Sequence, residues 1–282
     1  MKQKQQREQT SGMKDKVRKI FKTEKPVIGV VHLLPLLGSP SYQENYDEIL
    51  ATVINEVRIY EEEGVDGILI ENMHDVPYTN KRIDNLTFAA MSSISSKVRE
   101  VTAKPLGIQF LSGLVLEQTA IAYISRMQFM RVEAYAYAHI GDEGYMLACA
   151  GELLRYRKQI HAEDVMILAD IKKKHCSHSI TSDLDIRDIA RGSVFFKAES
   201  LVITGKETGM PPDPNDIMTV RNSVDVPVLC GSGIDSQNIL EYLQISDGFI
   251  IGSEFKYDKK WYNPVKPGNV ERLMKIVNKN RM

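Results

Sequence analysis

The stretch that decides the fold is Pro227-Val-Leu-Cys-Gly-Ser-Gly-Ile-Asp235, followed by Gly248-Phe-Ile-Ile-Gly-Ser-Glu254. Each is a short apolar run that stops at a turn of small residues, as a strand buried on both faces does when it feeds a tight βα connection. Upstream the same unit repeats. Val27–His32 precedes helical spacing over 46–64, with Ile49, Val53, Val57 and Tyr60 on one face. Gly67–Asn72 precedes 86–101, Leu106–Phe110 precedes 114–126, Met130–Ala134 precedes 144–159, and Val165–Asp170 precedes 185–197. Leu201–Thr204 precedes 214–223, Val228–Cys230 precedes 236–244, and Phe249–Ile251 precedes 269–279. Eight strand-then-helix units without a hairpin signal predict a single closed (β/α)8 barrel, of the TIM type, over residues 26–282. An open doubly wound sheet is the rival, but the first βα turn, Val31-His-Leu-Leu-Pro-Leu-Leu-Gly38, lacks the Gly-x-Gly-x-x-Gly of a dinucleotide fold.

Residues 1–25 are polar and rich in Lys, Gln and Arg, and read as a mobile tail or one surface helix. Their basic character admits an organellar transit peptide, but Glu8, Asp15 and Glu24 count against it, so the expected compartment is the cytoplasm, with a mitochondrial location as the alternative. The 282 residues carry 36 basic and 37 acidic side chains, so no global field favours nucleic acid or an anionic membrane. No apolar run reaches the length of a membrane span. Three cysteines without Cys-x-x-Cys spacing give neither a disulfide framework nor a zinc site, and the residues name no cofactor and no metal. The expected partner is a small molecule. Oligomeric state is open, a homo-oligomer included.

Barrel chemistry gathers where the strands end. Here those ends are polar: His32, Glu71-Asn72, Gln109, Arg131 or Glu133, Asp170-Ile-Lys-Lys-Lys-His175, and Thr204. Gly231-Ser232-Gly233 and Gly252-Ser253 close the last two runs, where backbone N–H groups can approach an anion because glycine has no Cβ in the way. With Thr204 and Gly205 they form the expected site for a phosphorylated ligand, and Lys206 is a candidate extra cation. Asp170 and Lys172 lie two apart and share a face if the strand stays extended, with Lys174 joining them if it continues, whereas Lys173 is expected to be exposed. The expected catalytic groups are Asp170, Lys172, Glu71 and His32. A desolvated lysine in this set would serve as base or Schiff-base nucleophile, and imidazole with carboxylate as an acid–base pair. Ala136–Glu143 lengthens the fourth connection into a candidate lid, with His139 and Asp142 as secondary candidates. Trp261 and Tyr262 read as packing or interface residues.

Several segments together resemble the BtpA family, placed with the ribulose-phosphate-binding barrels. They are Gly29-Val-Val-His32-Leu-Leu-Pro35-Leu-Leu-Gly38-Ser-Pro40, Gly64-Val-Asp-Gly-Ile-Leu-Ile-Glu71-Asn72, Glu152-Leu-Leu-Arg-Tyr-Arg157, Ala169-Asp-Ile-Lys-Lys-Lys-His175, Thr204-Gly-Lys-Glu-Thr-Gly209-Met-Pro-Pro212, Gly231-Ser-Gly233 and Ile251-Gly-Ser253. The resemblance spans Pro26 to about Lys279 and implies a barrel with a phosphorylated ligand, but no settled reaction. The family takes its name from a role in photosystem I biogenesis, so a non-catalytic assembly or stability factor stands beside an enzyme of lyase, isomerase or hydrolase type. Many bacterial members carry Arg-Asn-Asp where this chain has Phe110-Leu-Ser112-Gly113, Arg-Val-Asn where it has Arg131-Val-Glu133, and histidine where it has Lys172. Asp-x-Lys also ends a strand in phosphosugar lyases and decarboxylases of such barrels, with a further acid three positions on. Here His175 stands at that position.

Overall fold

The computed structural model describes residues 16–80, 85–205, 207 and 209–281. Its eight parallel strands are β1 Val27–His32, β2 Gly67–Glu71, β3 Leu106–Gln109, β4 Phe129–Val132, β5 Met166–Ile171, β6 Ser200–Ile203, β7 Val228–Cys230 and β8 Gly248–Ile251. Helices follow them in turn: α1 Tyr46–Glu62, α2 Asn85–Val101, α3 Val115–Ile124, α4 Ala150–Gln159, α5 Ile186–Phe195, α6 Pro214–Arg221, α7 Ile239–Ile245 and α8 Pro267–Asn280. Each strand pairs with its chain neighbour, and β8 pairs with β1 through Val27↔Phe249, which closes the barrel. The register His32↔Glu71↔Gln109 puts the polar strand ends at one mouth.

Local chemistry sets the helix starts. The Asn45 side chain accepts from Glu48 N, Asp185 forms a reciprocal capping box with Asp188, and Asp213 caps α6 with Pro214 at its first position. Inside the barrel, Ile28, Val30, Leu69, Phe129, Met166, Leu168, Val202, Leu229 and Ile250 form one apolar cluster. The outward faces of the strands join a second cluster with the helices. The strands are therefore apolar up to their polar ends at the mouth, because both faces are covered.

Two regions differ from the sequence reading. Residues 16–21 are helical, and Val17 and Phe21 belong to the lumen cluster. The Phe21 ring lies 5.3 Å from that of Phe129, so this segment seals the end of the barrel opposite the mouth. A Cβ at Gly67 would come within 2.6 Å of Phe21 Cε1, which explains glycine at the start of β2. Lys16 pairs with Glu199, which also holds Arg157 at 2.7 Å. The expected helix over 144–159 is the second difference. Its first part is the return strand of a hairpin, His139–Gly141 against Gly144–Met146, turned by Asp142-Glu143, and the helix begins only at Ala150. Gly144 takes φ +96°, and the pairing leaves Tyr145 outside and Met146 buried.

Candidate active site

The open mouth encloses a cavity of about 410 Å³. From β1 and β2 come His32 and Glu71, from β3 Gln109, and from β4 and the residue just past it Arg131 and Glu133. Lys173 and Lys174 enter from the segment after β5, and the turns Gly231–Gly233 and Gly252–Ser253 line the wall below β7 and β8. Trp261 closes one side.

A chain of charge runs across the floor. Arg131 Nε lies 3.1 Å from Asp170 Oδ1 and its Nη2 3.2 Å from Oδ2, a bidentate fork, while Nη1 stands 3.5 Å from Glu71 Oε1. Glu71 Oε2 is 3.8 Å from His32 Nε2, and His32 Nδ1 lies 2.8 Å from the Trp261 carbonyl. A carbonyl only accepts, so the ring proton is on Nδ1 and the Nε2 lone pair faces the cavity and Glu71. Burial, reinforced by Lys256, holds His32 well below the usual imidazole range, so it is neutral at pH 7. Burial raises Glu71, with Arg131 and Lys174 offsetting part of the rise. Burial opposes the Arg131 charge, yet Asp170 and Glu71 outweigh it and keep the guanidinium protonated.

The two lysines differ. Lys173 is 2.7 Å from Glu133 Oε2 and 3.7 Å from Glu143 Oε1, in the hairpin turn, and these carboxylates overcome burial and raise its pKa. Lys174 has no ion pair among the described residues, and burial with the nearby Arg131 charge lowers it from 10.5 to about 8. Its backbone N–H donates to Thr204 Oγ1 at 3.3 Å.

The structure gathers His32 and Glu71 with Gly231, Ser232, Gly233, Gly252 and Ser253, and it corrects the other expectations. Lys172 is exposed and off the cavity, because β5 ends at Ile171 and Lys172 takes φ +46°, which breaks the alternation that would have aligned it with Asp170. It lies near enough to Asp216, on α6, to offset part of the rise that burial and Asp213 impose on that carboxyl. Asp170 has a fully buried side chain beneath Arg131, so it positions the guanidinium and does not touch the cavity. Thr204 and Gly205 stand behind the wall. The Ser232 hydroxyl accepts from Gly205 N at 2.9 Å and donates to Met210 O at 3.0 Å, so it holds the sixth connection down and is not free for a ligand. Gly233, at φ +65°, lies beneath that connection, where a Cβ would meet Met210 C at 2.1 Å. Lys206 lies outside the described residues. His139 faces His178 at a ring distance of 5.3 Å, away from the mouth, whereas Asp142 reaches the cavity rim.

Both glycine turns face the charged floor. A Cβ at Gly231 would sit 3.4 Å from Arg131 Nη2, and one at Gly252 would sit 3.2 Å from His32 Nε2. Sequence reasoning treated Arg131, Glu133 and Gln109 as mere strand ends, admitted Lys174 only if the strand continued, and took Lys173 to be exposed, whereas both lysines line the cavity. A three-lysine run gives no sign of which member turns inward.

Among solved structures, geranylgeranylglyceryl phosphate synthase from Thermoplasma acidophilum superposes with a TM-score of 0.59 at 12% identity, covering 95% of this chain and 98% of that one. Thiamine phosphate pyrophosphorylase from Pyrococcus furiosus gives 0.56 at 15% identity, covering 90% and 96%. At such identities the likeness is one of fold. A Caenorhabditis elegans protein named "Uncharacterized protein F13E9.13, mitochondrial" is 37% identical over 93% of this chain and 96% of its own length. The Synechocystis photosystem I biogenesis protein BtpA is 35% identical over 84% and 82%. The model of the BtpA family matches residues 23–279, and the chain belongs to that family.

Proposed function

We propose that the protein is an enzyme acting on a small phosphorylated metabolite, a sugar phosphate or a nucleotide-derived compound, bound in the mouth of the barrel. One observation carries this reading: the turns Gly231–Gly233 and Gly252–Ser253, where barrels commonly hold phosphate, share a cavity with His32, Glu71, Arg131 and Lys174. The ester phosphate docks on the backbone N–H groups of the two turns, and the reacting carbons lie over the floor. Arg131, held cationic by Asp170, supports negative charge that develops on a substrate oxygen. His32 accepts a proton at Nε2, and Lys174 exchanges one near neutral pH. The reaction class is then proton transfer next to a polarised carbon–oxygen bond, as in lyases and isomerases.

A non-catalytic assembly factor would have no use for such a mouth. Surface ion pairs are cheap, but Glu71, Arg131 and Glu133 buried around one cavity, with His32 and the half-buried Lys174 beside them, are costly unless they act. For location we keep the cytoplasm, with a mitochondrial compartment as the alternative that the name of the Caenorhabditis elegans relative supports. Among the described residues no helix is long and apolar enough to cross a membrane.

The test is thermal stability with inorganic phosphate and with sugar phosphates against the same sugars unphosphorylated. Ligand at about one hundred times its Kd stabilises by about 2.7 kcal/mol, or about 5 °C for a chain of this size. Ser253→Asp puts a carboxylate on the wall of the cavity and abolishes that gain while the unliganded melting temperature stays within a few degrees. Protection by the unphosphorylated sugars alone, or undiminished phosphate protection in Ser253→Asp, defeats the reading. Gly233→Val is unsuited to this test, because its Cβ collides with the Met210–Pro211 backbone whether or not an anion binds.

A further inference from the structure

The cavity holds two adjacent lysines in opposite circumstances, and it holds an acceptor with nothing to accept. Lys173 is tied to Glu133 and Glu143, but Lys174 lines the same cavity without an ion pair among the described residues. Gln109 Nε2 donates to Glu133 Oε1 at 2.8 Å, which fixes the orientation of the amide, and leaves Gln109 Oε1 buried with no hydrogen-bond partner among the described residues. A buried acceptor of this kind is costly unless a ligand satisfies it. Gln109 also lines the cavity.

We propose that the substrate is a phosphorylated hydroxycarbonyl compound whose carbonyl carbon forms an imine with Lys174 Nζ and whose hydroxyl donates to Gln109 Oε1. This rests on the phosphorylated-ligand reading above and names the substrate class of that site. The groups whose charge bears on Lys174 are Arg131 from β4, Glu71 from β2, Asp170 from β5 and Glu133 just past β4. His32, on β1, senses the Lys174 charge in return. Burial and the Arg131 guanidinium disfavour the ammonium, so a useful fraction of Lys174 is free amine near neutral pH, whereas Lys173 is held protonated. The amine lone pair attacks the carbonyl carbon, a C–N bond forms, and the amine proton passes to the former carbonyl oxygen to give a carbinolamine. Loss of that oxygen as water, with one proton taken up from a neighbouring acid, leaves a protonated imine. In the exchange one C=O is replaced by one C=N and one water is released, with no oxidant or reductant. The protonated imine is an electron sink that lowers the cost of breaking a bond at the adjacent carbon, with His32 Nε2 positioned to receive a proton.

The experiment is borohydride trapping on the full chain. Dihydroxyacetone phosphate is added, sodium borohydride reduces any imine to a stable secondary amine, and the modified residue is found by peptide mass mapping. The label is expected on Lys174 and absent from Lys173. Its rate should rise about tenfold from pH 7 to pH 9 and then level off, as for an amine titrating near 8. Unphosphorylated dihydroxyacetone should label more slowly, and so should hydroxyacetone phosphate, which lacks the free hydroxyl, by roughly fivefold. Gln109→Leu should remove that last difference. Lys174→Arg and Lys174→Met should lose the label and keep their phosphate-dependent thermal protection. Label at Lys173, label spread over exposed lysines, or a rate still climbing past pH 10 overturns the imine. No label with phosphate protection intact overturns it and leaves the phosphorylated-ligand reading standing. No label and no protection removes both.

Discussion

Lys174→Met exchanges a cavity-lining cation for an apolar chain of similar length, and the account expects the protein to become more stable. Burial and Arg131 lower the Lys174 ammonium from 10.5 to about 8, a difference worth about 3 kcal/mol at about 1.4 kcal/mol per pH unit. That shift already includes the attraction to Glu71, Asp170 and Glu133, and solvent at the half-buried ammonium screens part of it, so the net gain at pH 7 is about 1–3 kcal/mol, or about 2–6 °C in melting temperature. The pH dependence has a definite sign. Between about 8 and 10.5 the unfolded chain binds more protons at this site than the folded one, so the parent gains stability as pH rises through that window. Below it the cost of the buried ammonium is present in full. The advantage of Lys174→Met is therefore largest at pH 7 and closes by about pH 10.5. Calorimetry of both proteins from pH 7 to pH 10.5 checks this. A variant no more stable than the parent at pH 7, or an offset constant across the range, refutes the claim that Lys174 is a desolvated cation kept at a cost in stability.

Asp170→Asn strips the carboxylate from a buried fork and leaves the Arg131 charge with only its 3.5 Å contact to Glu71, which costs about 3–5 kcal/mol in urea unfolding. A loss below about 1 kcal/mol would show that the fork is not what holds Arg131. Phe21→Ala opens a void at the sealed end of the barrel and costs about 3–5 kcal/mol, while phosphate protection at the far mouth persists. An unchanged urea midpoint would mean that the 16–21 segment does not seal the barrel. Ser253→Asp, as above, loses phosphate protection without unfolding.

The barrel was legible because burial on both faces writes each strand as an unbroken apolar run, and Val27–His32 and Val228–Cys230 were bounded to the residue. The glycine turns were legible because only small residues fit there. Three things were hidden. Val17, Ile20 and Phe21 are a few apolar residues at helical spacing in a polar segment, and nothing local says that they face a barrel lumen. The hairpin at Asp142-Glu143 is closed by residues that form ordinary helical starts elsewhere in the chain. In the run Lys172–Lys174 a single left-handed residue decides which lysines turn inward, and a lysine adopting φ +46° leaves no mark in the sequence. Asp170 was seen as functional because an acid ending a buried run needs a reason. That reason is Arg131, 39 residues earlier in the chain, and such a pairing is visible only once β4 and β5 lie side by side.

The measurement that bears most directly on the central claim is a crystal structure of the protein soaked with glycerol phosphate, an ester that has no carbonyl and so probes anion binding alone. The account predicts its phosphate between the turns Gly231–Gly233 and Gly252–Ser253, with the glycerol reaching toward Arg131 and Lys174. A phosphate bound only outside the mouth, at ligand concentrations that raise the melting temperature, would contradict it.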